Sequence, residues 1–466
     1  MLFSSLTFLL FFLPVVLGLY FIVPACLRNA VLLAASLVFY AWGEPIYVVV
    51  MLCVIALSYI GARLIEAVQE GWLKCVVVGS TVGSILGVLA YFKYMGFILQ
   101  NLPLPKGVDV PFIEIIMPIG ISFYTFQALS YVIDVYRGEG TAQKNPFKIA
   151  LFISLFPQLV AGPIVKYHDV YRQIDRRAVR FESFMKGLKR FIMGLGKKVI
   201  IANTLGEVVD KIFALPVQEL SPQIAWVGAV FYALQLYYDF SGYSDMAIGL
   251  GHLFGFKFLE NFNYPYMSKS VTDFWRRWHI SLSTWFKQYV YIPLGGNRDG
   301  KAKTLRNLLI VFFLTGLWHG AAWNFIVWGL YHGAFLILEK MTGLFQNKMT
   351  LVSRGISHLY LLGVVCVGWV IFRAPDLTYA MKYLRMMFGC FEGHPTYEFT
   401  YYVTNWIGMI FALAVICSTG IFARFLLQAK NMAGAIAVNV YLTALFMFCL
   451  LSLVSASYNP FIYFRF

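Results

Sequence analysis

Charge is what this sequence has least of. Only 13% of its 466 residues are Asp, Glu, Lys or Arg, and only 22 are acidic. A soluble domain carries about 25% charged residues. A soluble chain of this length would divide into two or three domains, and this one lacks the charge to cover their surfaces. It also lacks low-complexity tracts, internal repeats and any polar stretch long enough for a soluble domain. Disordered, collagenous and disulfide-scaffold proteins are therefore excluded. The seven cysteines form no CxxC pair, and most lie in apolar runs, where a free cysteine acts as a small hydrophobe. Neither disulfides nor a metal site is expected from them. A Walker loop, HExxH and GxSxG are all missing, so ATP hydrolysis, zinc proteolysis and an esterase elbow have no support.

What is abundant is apolar surface, at 60% hydrophobic residues. The composition predicts an all-α, polytopic integral membrane protein. Candidate spans fall near 2–24, 29–41 with 45–65, 73–100, 113–136, 148–165, 223–251, 305–340, 356–374, 404–426 and 433–456. At roughly 20 residues per crossing they amount to about eleven spans, with re-entrant or interfacial pieces besides. One integral domain over 1–466 is the economical reading. The first apolar run has no positive flank and exceeds a signal peptide's usual length, so it reads as a retained span.

The net charge of +15 is localised. Residues 137–198 carry thirteen Lys and Arg against four acids, and residues 256–306 carry nine against three. These two stretches hold the whole excess. Clustered cations mark cytoplasmic loops of membrane proteins. A nucleic-acid binder would instead carry a basic stripe on a soluble fold, so no nucleic acid is expected.

The second basic stretch is not an ordinary loop. Phe274, Trp275, Trp278, Leu282, Trp285, Phe286 and Tyr289 recur in steps of three and four, which predicts one face of a helix. Arg276, Arg277 and Lys287 lie off that face, as in an interfacial or re-entrant helix. His279 sits among these cations, which favour its neutral form; it is either a base or an ordinary interfacial histidine. His319 lies in FFLTGLWHGAAWNFIVWGLYHG, deep in an apolar run. An ionisable group there is a functional candidate, or else a histidine satisfied by a nearby carbonyl. Gly320 would let a substrate approach the ring, and Trp318 could pack to fix it. On a continuous helix His332 would lie about 220° away, which reads as packing. In LYYDFSGYSDMAIGLG, Asp239 with Tyr243 and Ser241 with Asp245 are i,i+4 pairs. They are either interhelical glue or support for a catalytic histidine. His168, His358 and His394 read as structural, as do Asp134 and Arg137.

Several long motifs occur in order: MPIGISFYTFQALSYVIDVYRG, LFPQLVAGPIVKY, DFSGYSDMAIGLG, ENFNYPY, FWRRWHISLSTWF, YIPLGGNR, GLWHGAAWNFIVWGLYHG and the terminal NPFIYFRF. In these the chain resembles the membrane-bound O-acyltransferases, and within them the bacterial alginate O-acetylase branch. The resemblance implies a ring of helices around a thin centre with a tunnel between the membrane faces. It implies that His319 is the catalytic histidine and that His279 is the second histidine of the narrow passage. It implies acetyl transfer from acetyl-CoA, a co-substrate rather than a bound cofactor, to an extracytoplasmic acyl-accepting protein or polysaccharide, in the inner membrane. Arg276, Arg277 and Lys287 would then meet the CoA phosphates. Asp239, Asp245, Trp318 and Asn324 would support the site.

Two other readings remain at this point. The chain could transfer D-alanyl groups from a carrier-protein thioester toward teichoic acid. It could also be a non-catalytic polysaccharide export channel or scaffold, although a pore has no need of a Trp-His-Gly in mid-membrane.

Overall fold

The computed structural model describes residues 1–102, 115–345, 350–390, 393–421, 432–455 and 458–461. Parts of the expected spans 113–136, 404–426 and 433–456, and the end of the NPFIYFRF motif, lie outside the described residues. Every regular element among the described residues is helical, as expected of an apolar chain that must satisfy its backbone in lipid. Two compact units are present: residues 1–191 with 246–259, and residues 192–245 with 260–466.

The first unit contains α1 (Leu13–Ile22), α2 (Arg28–Ala41), α3 (Val48–Ala67), α4 (Trp72–Asn101), α5 (Ile121–Tyr136), α6 (Pro146–Ser154), α7 (Phe156–Leu159) and α8 (Tyr167–Asp175). Pro157 interrupts the expected span 148–165, because proline cannot continue a helix begun before it. Near α8 the Arg177 guanidinium bonds Tyr20 Oη and the Phe254 carbonyl, at 3.1 and 3.0 Å. It also lies 4.4 Å from the Phe256 ring centre.

The boundary between the units falls inside α9 (Phe181–Gly196) and again inside α11 (Pro222–Leu253). Helix α9 widens into a π-helical stretch at Lys197–Ala202 before α10 (Asn203–Phe213). Five helices follow in the second unit: α12 (Val271–Arg277), α13 (Ile280–Phe286), α14 (Lys301–His319), α15 (Trp323–Thr342) and α16 (Leu351–Arg373). They are succeeded by α17 (Leu377–Met387), α18 (Phe399–Tyr402), α19 (Asn405–Ser418) and α20 (Met432–Ser455). The expected span 305–340 is thus two helices. Gly316 and Gly329 let them meet: a Cβ on Gly329 would overlap the Phe312 carbonyl oxygen and stand 3.0 Å from Gly316 Cα. Small residues at such crossings bring membrane helices to backbone contact.

Among the described residues, four helices are long and apolar enough to cross a membrane: Val48–Ala67, Trp72–Asn101, Val352–Arg373 and Met432–Ser455.

Candidate active site

The second unit holds both candidate histidines, and α12 begins the arrangement. Ser270 caps this helix by accepting from Asp273 N–H at 3.0 Å, a common N-terminal device. A second acceptor comes from α15. The buried Glu339 carboxylate receives Val271 N–H at 2.6 Å, and Thr272 N–H and hydroxyl at 2.9 and 2.6 Å. The first-turn N–H groups of a helix have no partner within it, and a carboxylate satisfies them with favourable charge.

Helix α12 then stops. Trp278 is extended, and His279 adopts a left-handed backbone with φ 45° and ψ 54°. The expected continuous helix over 274–289 is therefore two short helices with a kink at the histidine. Asn261 explains the break. Its carbonyl oxygen receives Ile280 N–H at 2.9 Å, and its side-chain oxygen receives Ser281 N–H at 3.2 Å. Those donors would otherwise point back into a continuous helix. Left-handed backbone at a non-glycine residue costs on the order of 1–3 kcal/mol and persists where surrounding bonds over-determine it.

The His279 imidazole is buried, at 1% exposure. Its Nδ1 lies 3.1 Å from Asn261 Oδ1. The Phe240 ring of α11 stands edge-on at 4.6 Å. Burial lowers the His279 pKa below the ordinary histidine value, because an apolar surrounding disfavours the charged ring. Neutrality was expected from neighbouring cations; its cause is burial.

His319 is the last residue of α14, and Gly320 continues in extended conformation. The His319 ring is enclosed by Trp318 at 4.8 Å, Trp328 at 5.0 Å and Phe372 at 5.1 Å between centres. Trp318 also neighbours His279, at 6.0 Å between centres. One indole therefore adjoins both imidazoles. At Gly320 a Cβ would overlap the Phe325 ring, so its absence admits an aromatic neighbour. Asn324 donates to the Ala374 carbonyl at 2.9 Å and ties the start of α15 to the end of α16. The helix break at 320–322 also relocates His332. It packs 5.2 Å from Trp328, whose ring also lies 5.0 Å from His319.

The other named residues have assigned places. Asp239 pairs with Lys198 at 2.6 Å, both nearly fully buried, and Asp245 pairs with Lys197 at 2.6 Å. Lys198 Nζ also donates to the Pro460 carbonyl. Arg277 is held by Asp273 at 2.9 Å, while Arg276 and Lys287 are exposed. His168, in the first unit, bonds Asp134 at 3.0 Å. His358 lies 3.2 Å from the Ser268 carbonyl oxygen. Asn261 and Glu339 were not singled out from the sequence. Asn261 stands in ENFNYPY, where it reads as one loop residue among several. Glu339 is a lone acid closing an apolar run, and that isolation was its only signal.

Known proteins resemble this arrangement in sequence. The family model described as MBOAT, membrane-bound O-acyltransferase family, matches residues 142–380. The probable alginate O-acetylase AlgI of Azotobacter vinelandii is 46% identical over 399 residues, covering 83% of this chain and 78% of that protein. The peptidoglycan O-acetyltransferase of Helicobacter pylori is 36% identical over 422 residues, covering 84% and 80%. The teichoic acid D-alanyltransferase of Bacillus subtilis is 27% identical over 330 residues, covering 66% and 79%.

Proposed function

The chain belongs to the membrane-bound O-acyltransferase family and is a multi-pass membrane O-acyltransferase, and we propose that it carries acetyl groups from cytosolic acetyl-CoA to an extracytoplasmic, alginate-like polysaccharide. In this reading it sits in the inner membrane. Its remaining apolar helices complete about eleven crossings around a narrow passage.

The observation that carries the proposal is the placing of two buried histidines against one indole, Trp318, in a chain 46% identical to an alginate O-acetylase. His319 accepts the proton of the attacking hydroxyl. The hydroxyl oxygen bonds to the thioester carbonyl carbon, the carbon–sulfur bond then breaks, and the CoA thiolate leaves toward the cytosol. Such general base catalysis contributes typically 10²–10⁴-fold. His279 orients a substrate group in the same passage. The exposed Arg276 and Lys287 meet the CoA phosphates, and Arg277 contributes from its pair with Asp273. Trp318 and Asn324 fix the His319 region. Asp239 and Asp245 hold α11, whose Phe240 abuts His279. A partner protein outside the membrane receives the acetyl group and delivers it to sugar hydroxyls.

The similarity to a teichoic acid D-alanyltransferase supplies the competing donor, a carrier-protein thioester. Offering the purified protein both donors separates the readings. Release of free thiol from acetyl-CoA supports acetyl transfer. Consumption of a D-alanyl carrier thioester, with acetyl-CoA untouched, overturns it.

A further inference from the structure

His279 has two ring nitrogens, and the chemistry it can perform depends on which carries the proton. The surroundings answer this through a donor whose identity admits no alternative. Ser281 N–H is a backbone group and can only donate. It points at the Asn261 side chain from 3.2 Å, so the atom it meets is the amide oxygen. The Ser281 hydroxyl meets the same atom at 2.9 Å. The other end of the amide donates to Ser244 Oγ on α11 at 3.0 Å. With the amide orientation fixed, the atom 3.1 Å from His279 Nδ1 is an acceptor, and Nδ1 must hold the hydrogen.

We infer that Asn261 is a positioning residue that locks His279 in the Nδ1-protonated tautomer, so that Nε2 meets the substrate as a hydrogen-bond acceptor. The inference rests on the reading above, in which His279 lines the passage. It deepens that reading by excluding one role: a ring with an unprotonated Nε2 cannot donate to the oxyanion of a tetrahedral intermediate. Nor is the ring suited to keep a proton, since Asn261 is neutral and balances no imidazolium charge. Because His319 takes the hydrogen of the attacking hydroxyl, His279 receives a different neutral donor. Either a second hydroxyl of the acyl acceptor or an amide N–H of the pantetheine arm has that chemistry.

The test reads the tautomer directly. Protein labelled with ring-¹⁵N histidine is measured at neutral pH in detergent, and the His279 signals are assigned by their loss in His279→Gln. Expected is a protonated Nδ1 with an unprotonated Nε2; the reverse pattern, or an imidazolium, overturns the inference. No turnover is needed, so absent acetyl transfer would defeat the functional reading and leave the tautomer standing. Two variants extend the test. Asn261→Ala removes the lock, and the loss of one substrate hydrogen bond raises one KM about tenfold. A rise for acetyl-CoA identifies the pantetheine amide, a rise for the acceptor identifies the hydroxyl, and no rise in either overturns the role. Asn261→Asp places a carboxylate against Nδ1, which favours the charged ring. Nε2 then carries a proton at higher pH than in the wild type, so the acid limb of the activity profile moves upward. Higher activity at low pH would mean that a donating Nε2 helps, contrary to the inference. If neither variant folds, the wild-type spectrum still decides.

Discussion

Glu339 Oε2 accepts from both the backbone N–H and the hydroxyl of Thr272, at 2.9 and 2.6 Å. A carboxylate near the end of α15 thus holds the first turn of α12, seven residues before His279. It sets the direction in which Trp275 and Trp278 approach the site. Trp275 packs 5.7 Å from Trp328, and Trp278 lies 5.0 Å from Trp369.

Replacing Glu339 by Gln puts an NH₂ group among donors. A buried donor without its acceptor costs about 1–3 kcal/mol. We expect Glu339→Gln to lower the melting temperature in detergent and to reduce acyl transfer together. Wild-type values for both would remove α12 docking from the account.

The Lys198–Asp239 pair, 3% and 2% exposed, has a sharper signature. Lys198→Met leaves a buried carboxylate without its cation, which costs about 3–5 kcal/mol. Adding Asp239→Leu removes the stranded charge and should restore most of that stability. Denaturation of the two variants side by side measures it. A double variant no more stable than the single one would contradict a charge-pair origin. Gly242 belongs to the same contact: a Cβ there would stand 2.8 Å from the Gly194 carbonyl oxygen.

The distribution of charge makes a topological prediction. Residues 166–198 and 256–306 should face the cytoplasm, since they lie within the stretches holding the net positive charge. A cysteine placed at Lys301, which is exposed, should resist an impermeant reagent applied to intact cells and react after permeabilisation. Labelling in intact cells would invert the topology.

Much of the candidate site was legible because it is local in sequence. His319 with Trp318, and His279 among its tryptophans, announce themselves by residue type inside apolar runs. What escaped was tertiary. Periodicity over 274–289 predicted one helix because the apolar spacing is helical throughout. The break at Trp278 and His279 comes from Asn261, eighteen residues upstream of the histidine, and no window on the helix itself contains it. The apolar run 305–340 similarly concealed the turn at 320–322, whose glycine answers to the Phe325 ring. The i,i+4 pairs expected around Asp239 and Asp245 overlooked Lys197 and Lys198, consecutive cations brought to the two acids by a π-helical stretch.

Acetylation of a polymer should require more than this chain. With the protein in liposomes, acetyl-CoA inside and polysaccharide outside, we expect little polymer acetylation until a periplasmic or membrane-tethered acyl-accepting protein is added. Robust acetylation without an added protein would rule out the relay and favour direct transfer.

The central claim is that His319 acts as the general base for acetyl transfer from a donor on one side of the membrane to an acceptor on the other. The direct measurement encloses radiolabelled acetyl-CoA in proteoliposomes with the acceptor outside, and compares wild type with His319→Gln at equal, monodisperse protein. The account predicts label on the outside acceptor with the wild type and at least a roughly 100-fold loss in the variant, the lower end of what a general base supplies. Transfer by the variant at more than a tenth of the wild-type rate would contradict it.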